Sequence, residues 1–274
     1  MKQGNGITYR KLPGISAQGI RIWGLLFLVV GALGYGVFGN VLIPSYGVDV
    51  NGISLAPFSM VTVGSVLQIL YYCAIPIFSF LLVEGMKRTV SPKNYAIRVG
   101  LLAVATELPF NLCMGGKVFG AISFQNGLHF DYEAFSLNPV FGSLLCIIVL
   151  MIFQYFAEKN AKNIFMKLVI WLMAFMWVFM LHIEEANRML VIVPVLWFFR
   201  NKKQMQVFLG CMVTVMSCIF NMNTLATVGC LIAPLTFMLV HFYNEEPGEG
   251  NRLVNYLAFP VILLAVGLVA KFAI

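Results

Sequence analysis

Residues 72–111 read YCAIPIFSFLLVEGMKRTVSPKNYAIRVGLLAVATELPFN. Two apolar segments flank a short basic loop, which predicts a hairpin of two membrane-spanning helices. The first segment ends at Glu84 and Gly85, and the second begins near Tyr95 and carries Glu107 well inside its apolar run. An ionisable group costs a few kcal/mol or more in hydrocarbon, so Glu107 needs a partner, a water-filled cavity or a proton.

The composition extends this interpretation to the whole chain. Of the 274 residues, 60% are apolar and only 11% are charged, which excludes an ordinary soluble domain. We therefore expect an all-α, polytopic transmembrane bundle in a single domain, residues 1–274, with residues 1–21 as a cytoplasmic segment and 22–272 as the bundle. The six cysteines fall in or beside apolar runs and are predicted to be buried thiols, not disulfides or metal ligands.

The apolar runs give the number of spans. They predict nine, at about residues 22–43, 61–84, 95–114, 139–157, 164–183, 189–200, 205–221, 224–243 and 254–272. The sixth run is only about a dozen residues long and the turn from Asn221 to Thr224 is minimal, so eight spans with a tilted or re-entrant segment is the alternative.

Basic residues indicate the orientation. All but three of the 18 lysines and arginines fall on alternate loops, and the exceptions are Lys117, Arg188 and Lys271. Because lysine and arginine collect on the cytoplasmic side, the N-terminus is predicted to be cytoplasmic. The same rule accounts for the net charge of +7, because basic residues mark one face of a protein in a lipid bilayer. Nucleic acid is therefore not an expected partner.

The hairpin contains the main candidate polar residues. Glu107 and Asn111 lie one helical turn apart on one face, which suits either a functional polar site or a structural carboxyl paired with Arg98 or another helix. Glu84 ends the first arm and is a candidate substrate ligand, although a pair with Lys87 or Arg88 is the stronger expectation. No phosphate loop, nucleophile elbow or H-E-x-x-H motif is present in the sequence.

A second polar group occupies a loop on the opposite side from most basic residues. It comprises His182, Glu184, Glu185, Asn187 and Arg188. A metal site would need further ligands, for which His129, Asp131 and Glu133 are candidates, but the spacing matches no zinc signature and we predict no metal. Glu184 and Glu185 are instead expected at the polar mouth of a substrate cavity or in a solvated loop.

The hairpin resembles the TraX family, membrane proteins named for a conjugation factor implicated in acetylating the N-terminus of pilin subunits. The residues that carry the resemblance are Pro76, Ile77, Phe78, Phe80, Leu81, Leu82, Val83, Glu84 and Gly85, then Thr89, Tyr95 and Arg98, then Glu107, Pro109 and Phe110. Weaker similarity follows at Asn138, Val140, Phe141 and Leu144, at Tyr243, Asn244, Gly248 and Gly250, and at Tyr256, Phe259 and Pro260.

The chain departs from the family pattern at three places. Gly31 and Ala32 occupy the positions of an Asp-His pair, Tyr72 replaces an arginine, and Ile262 replaces a histidine in the last span. Glycine, alanine and isoleucine cannot act as general bases. The chain is therefore either an enzyme that works without these groups or a catalytically silent relative.

The resemblance implies a multi-pass protein of the bacterial cytoplasmic membrane. It further implies acyl transfer from acetyl-CoA or another acyl-CoA to an envelope or secreted peptide such as pilin, in an outward-opening pocket around Glu107, Arg98 and Asn138. In that reaction Glu107 would be the base, Arg98 the charge stabiliser, and Asn111 and Asn138 substrate ligands. The alternatives are a catalytically silent binding or assembly subunit and, less favoured without an internal repeat, a small-solute transporter.

Overall fold

The computed structural model describes residues 14–49, 54–115, 122–123, 129–130, 136–158, 160–220 and 223–272. Within these residues the chain forms eleven α-helices. The helices are α1 Ala17–Ala32, α2 Phe58–Tyr71, α3 Ala74–Arg88, α4 Pro92–Met114, α5 Pro139–Tyr155, α6 Ala161–Met180, α7 Ala186–Phe198, α8 Lys203–Met216, α9 Thr224–Ile232, α10 Phe237–His241 and α11 Arg252–Phe272. A minimal antiparallel pair, β1 Ile122–Ser123 and β2 His129–Phe130, is the described sheet.

The predicted all-helical membrane architecture is confirmed. Among the described residues, six helical segments are long and apolar enough to cross a bilayer: Ala17–Tyr46, Phe58–Arg88, Pro92–Met114, Ala161–Met180, Thr224–His241 and Val254–Phe272. Three shorter apolar helices, Pro139–Tyr155, Ala186–Phe198 and Lys203–Ile219, fall in the other predicted runs. The number of full crossings therefore stays a prediction.

The second predicted span is not one continuous helix. It breaks at Tyr72 and Cys73, between α2 and α3. Pro76 lacks the N–H that would bond to the carbonyl of Tyr72 in a regular helix, and the amide of Ile75 donates to that carbonyl instead, at 3.3 Å. The break turns the ring of Tyr72 toward the polar group described below.

The first span changes its winding halfway. After α1 the chain continues as a π-helix, Leu33–Leu42. In this segment the Asn40 side-chain amide donates to the last carbonyls of α4, those of Cys113 at 3.1 Å and Met114 at 2.9 Å. Gln68 of α2 donates to the carbonyl of Gly34 at 3.0 Å. Because π-turns are rare and often occur at functional sites, this segment marks a specialised end of the bundle.

Helices α3 and α7 form the centre of the bundle. In the most apolar window of Phe58–Arg88, 61% of the residues are buried, against 11% in Ala161–Met180. Helix α7 packs on α3, α5, α6 and α8. Pro194 cannot donate to the carbonyl of Leu190, and the indole N–H of Trp171 bonds to that carbonyl at 2.8 Å. This bond fixes the peripheral α6 to the centre.

Helix α4 shows which surface faces lipid. Leu101, Val104 and Leu108 are 67%, 66% and 51% exposed and recur on one face, while Ala103 and Phe110 on the opposite face are buried. Contiguous exposed apolar side chains of this kind need a hydrocarbon environment. A lipid bilayer therefore surrounds the bundle.

Several of the basic loops meet at one end of the bundle. The amide of Ile15 donates to the carbonyl of Phe242 and the amide of Asn244 donates to the carbonyl of Ile15. From α3, Arg88 donates to the hydroxyl of Tyr243 at 2.7 Å, and from α8, Lys203 donates to the carbonyl of the same tyrosine, also at 2.7 Å. We call this the basic end; its cytoplasmic orientation stays a prediction.

Candidate functional site

A cavity of about 660 Å³ runs through the bundle, and we call it the long cavity. Seven helices contribute to its wall: α1, α2, α3, α4, α5, α7 and α11. The lining residues on α2 and α3 extend from Tyr71 to Arg88, which corresponds to roughly 25 Å of helix. The long cavity therefore connects the basic end with the region where α3 and α7 begin.

The lining of the long cavity changes along its length. The basic end is polar and cationic, with Arg21, Arg88, Asn94, Arg98 and Asn255. The middle is apolar, with Leu28, Ile75, Phe78, Leu81, Leu102 and Phe259. The far end combines apolar and polar groups: Tyr71, Pro139, Val140, Ser143, Glu185 and Met189. Such a lining suits an elongated ligand with an anionic head and a less polar arm.

Glu107 is the centre of a hydrogen-bonded group just beyond the far end. The side-chain amide of Asn138 donates to Oε2 of Glu107 at 2.6 Å, and the backbone amide of Asn138 donates to the same oxygen at 3.2 Å. Asn111 donates to Oε1 at 3.3 Å. Glu107 lies five residues past Leu102, about 7.5 Å along a helix, and is not among the residues that line the long cavity.

Asn138 connects the carboxylate to the start of α5. It is fully buried, caps α5 by accepting from the amide of Val140 at 3.0 Å, and donates to the carbonyl of Ala103 at 2.9 Å. Its neighbours Pro139 and Val140 line the long cavity. The Glu107 carboxylate therefore fixes the position of the chain that forms the far end.

Arg98 does not belong to the same group as Glu107, contrary to the expectation of one pocket around both. The two residues are nine positions apart on α4, about 13.5 Å along the axis. Arg98 lines the basic end of the long cavity, and its Nε donates to the carbonyl of Asn94 at 3.2 Å. The spacing on one straight helix separates them.

The turn between α6 and α7 brings the second polar group against Asn138. The amide of Glu184 donates to the carbonyl of Leu137 at 2.9 Å, and the amide of Leu137 donates to the carbonyl of His182 at 3.2 Å. His182 and Glu185 adopt φ values of 45° and 59°, in the left-handed region. Each costs about 1–3 kcal/mol, so the surrounding contacts hold this turn in a strained conformation.

Glu185 forms a buried ion pair at the far end. Its Oε2 contacts Nη1 of Arg188, whose side chain is 6% exposed, against 12% for Glu185. The guanidinium carbon of Arg188 lies 4.7 Å from the ring centroid of Tyr72, and the hydroxyl of Tyr72 is 3.1 Å from that of Tyr35 in the π-helix. This cation–π contact adds to the stability of the charge. The pair places both a carboxylate and a cation beside the cavity.

Glu184 lies beside these groups and keeps solvent-accessible surface. The protein packed around it removes solvent that would stabilise its charge, which raises the pKa of this carboxyl; the charge of Glu107 also raises the pKa, while Ser136 and Arg188 lower it. Glu107 is therefore close enough to Glu184 for its charge to act on that carboxyl.

The raised pKa of Glu184 gives a pH-dependent stability. Between the ordinary carboxyl pKa of 4.5 and the raised pKa, the folded protein binds more protons at Glu184 than the unfolded chain does. Stability should therefore fall as the pH rises through the raised pKa, and Glu184→Gln should remove that part of the fall. Unfolding midpoints in detergent from about pH 4 to pH 8 would measure it. Glu158→Gln, at an exposed position, is the matched control, and superimposable profiles of Glu184→Gln and wild type would contradict the prediction.

Glu84 lies at the basic end, remote from Glu107. Its Oε1 accepts from Nε of Arg88 at 2.7 Å, which is one of the two pairings expected from the sequence. The Glu84 residue is 7% exposed. Glu84 and Arg88 line different cavities, so their ion pair forms part of the wall between those cavities.

Among the described residues, no group of three or more histidine, cysteine, aspartate or glutamate side chains is arranged to hold a metal ion. Asp131 and Glu133, which a metal site was expected to require, lie outside the described residues, and the structure does not describe the side chain of His129.

Two parts of the site were not identified from the sequence. The sequence predicts no role for Arg188, although it is a basic residue on the acidic side and an exception to the charge rule. The sequence predicts Arg21 in the segment before the first span, but it lies within α1 and lines the long cavity. For Arg188 the available signal was its exception to the charge rule, and for Arg21 it was the position of a cation at the start of an apolar helix.

Packing explains why Gly31 and Ala32 stand in the first span where the family pattern has Asp-His. A Cβ atom on Gly31 would lie 2.4 Å from Cβ and 2.9 Å from Cα of Tyr71, so a larger residue does not fit without movement of α2. Ala32 is fully buried, and its carbonyl accepts from the thiol of Cys113 at 3.8 Å. The place where the family has an Asp-His pair is therefore filled by close contact between α1 and its neighbours.

Comparison with known proteins gives one match. The family model described as TraX protein matches residues 24–270, which is most of the chain. No curated protein and no solved structure matches the chain significantly. The match covers all the polar groups described above except the start of α1.

Proposed function

Because the chain belongs to the TraX family, we propose that it is a membrane acyltransferase whose donor enters the long cavity at the basic end and whose acceptor reaches the far end. The observation that supports this proposal is the long cavity itself. It connects three arginines at one end with the Glu185 carboxylate at the other through an apolar middle. Transfer between two sides of a membrane needs a path of this kind.

An acyl-CoA donor fits the residues at the basic end. Guanidinium groups bind phosphate through several directed hydrogen bonds, so Arg21 and Arg98 would hold the phosphates. Phe78, Leu81 and Leu102 would surround the less polar arm and exclude water. The donor supplies an acyl carbon that is activated by its bond to sulfur.

The residues at the far end suit the acceptor. The nitrogen or oxygen of the acceptor would form a bond to the acyl carbon while the carbon–sulfur bond breaks, and the departing sulfur would be protonated to a thiol. Glu185 lines the cavity there and would receive the proton lost by the acceptor. Glu107, which the sequence suggested as the base, would act as a positioning residue through Asn138.

The family resemblance suggests the acceptor and the compartment. A peptide amine of an envelope or secreted protein, such as a pilin subunit, would approach from outside the cytoplasmic membrane of a bacterium. The donor would come from the cytoplasm, because most lysines and arginines are predicted to lie there. In this orientation the basic end faces the cellular supply of coenzyme A.

The test is transfer by purified protein in proteoliposomes. A panel of acyl-CoA donors and a peptide amine should yield free thiol and acylated peptide, with the donor accepted only on the side of the basic end. Arg98→Gln should raise KM for the donor at least about tenfold and change kcat less, because it removes a charge-assisted contact made in both the ground and transition states. Lys162→Gln, at an exposed position on α6, is the control.

A non-catalytic binding or assembly subunit is the second candidate function. The tight contact between Gly31 and Tyr71 favours it, because the structure has no room there for the usual proton-transfer residues. Inactivity with the whole donor panel, together with a stoichiometric partner on purification, would support this candidate and contradict the acyltransferase. Unchanged partner binding by Glu107→Gln would then distinguish a scaffold role from a chemical one.

A further inference from the structure

A second cavity of about 270 Å³ lies at the basic end, and we call it the small cavity. Its wall is formed by the end of α3, the turn between α7 and α8, the start of α8, and the chain from α10 to Glu245. The ion pair of Glu84 with Arg88 separates it from the long cavity, since Glu84 lines the small one and Arg88 the long one. The small cavity is therefore a distinct compartment.

Cations dominate the charged lining of the small cavity. Lys87, Arg200 and Lys203 contribute positive charges from two different parts of the chain. The carboxylates on its wall are those of Glu84 and Glu245, and the charge of Glu84 is balanced by Arg88 from the other side. The lining as a whole therefore favours an anion.

Two of these cations are held in place by the protein. Lys203 Nζ donates to the carbonyl of Tyr243 at 2.7 Å. Arg200 donates to the carbonyl of Trp197 at 2.9 Å, and its guanidinium carbon lies 4.1 Å from the centroid of that indole ring. A lysine has three N–H donors and an arginine has five, so these bonds fix each side chain and leave donors for a ligand. The arrangement is prepared before binding.

We propose that the small cavity binds a phosphate group of a ligand that is not the acyl donor. Paired lysine and arginine donors match the charge and the several oxygens of phosphate. The same chemistry occurs in a free phosphate compound and in the headgroup of an anionic phospholipid, and basic pockets between membrane helices bind such headgroups. The volume accommodates a headgroup or inorganic phosphate.

The experiment has one arm for each source of phosphate. In the first, inorganic phosphate is titrated against purified protein in an uncharged detergent and binding is followed by calorimetry. In the second, the protein is placed in nanodiscs of phosphatidylcholine with or without phosphatidylglycerol, and retained phosphatidylglycerol is measured by native mass spectrometry. Binding in the first arm identifies a free phosphate compound, and selective retention in the second identifies the lipid headgroup.

Variants show whether the small cavity is responsible. Arg200→Gln and Lys203→Gln should each weaken binding about tenfold, because each removes a charge-assisted hydrogen bond. Lys202→Gln removes the same charge one residue away, at an exposed position outside the small cavity, and should have no effect. Size-exclusion profiles show that each variant is folded.

The outcomes separate this proposal from the acyltransferase proposal. Loss of binding in the two cavity variants but not in Lys202→Gln would support the small-cavity site, whether or not acyl transfer is found. Equal loss in all three would show general surface attraction and overturn it. Absence of binding in both arms would overturn it as well, and would leave the long cavity unaffected.

Discussion

Replacement of Arg188 by methionine should lower the free energy of unfolding by about 3–5 kcal/mol, because it leaves a carboxylate buried without its cation. Arg188 is 5% exposed, and its guanidinium contacts both Glu185 and the face of Tyr72. Methionine keeps much of the length of the side chain and none of the charge. The loss of unfolding free energy should therefore come mainly from the unpaired charge of Glu185, and less from a cavity left by the side chain.

The measurement is unfolding in mixed micelles, where the change can be made reversible. The double variant Arg188→Met with Glu185→Met is the control, since it removes both charges from the same place. It should be closer to wild type than the single variant, because buried ion pairs are often replaceable by apolar residues without loss of stability. A double variant that is as unstable as the sum of both single changes would contradict this account.

The local part of the candidate site could be predicted from the sequence. Glu107 and Asn111 are one turn apart, and their hydrogen bond follows from helix geometry alone. Glu84 with Arg88 is the same case at i and i+4. In both pairs, the distance along the chain fixes the distance in space, so helical periodicity is sufficient to predict the contact.

The contacts between distant segments could not be derived in this way. Asn138 is 31 positions from Glu107, and its place under the carboxylate depends on how α5 packs against α4. Similarity to a family places Asn138 in one pocket with Glu107, but it does not give the hydrogen bond between them. Arg188 was harder still, because the left-handed turn at Glu185 sets the course of the chain into α7.

The long cavity results from incomplete packing between helices, which a sequence does not show. It arises where seven helices leave space between them, at the break between α2 and α3 at Tyr72 and Cys73. Continuous apolar periodicity predicted one straight helix there. The effect of Pro76 on the carbonyl of Tyr72 was visible only when the hydrogen bonds were known.

Substitution of Leu102 by tryptophan should obstruct the long cavity and lower the rate of the proposed acyl transfer by at least about 100-fold, because small displacements of reacting groups have effects of that size. Leu102 lines the apolar middle, close to the level at which Asn138 contacts Ala103. An indole ring there would separate the arginines at the basic end from Glu185. The donor should still bind at the basic end, with its dissociation constant changed less than about threefold.

Leu101 provides a matched control for this substitution. It is the preceding residue on α4, is 67% exposed on the lipid-facing surface, and does not line the long cavity. Leu101→Trp adds the same ring to the same helix and should leave transfer unchanged, since indole is tolerated in a bilayer. Transfer rates and the binding of a non-reactive donor analogue would be measured for both variants. Full activity of Leu102→Trp would show that the acyl group does not pass through the long cavity, because a plug at its middle must stop any route that uses it.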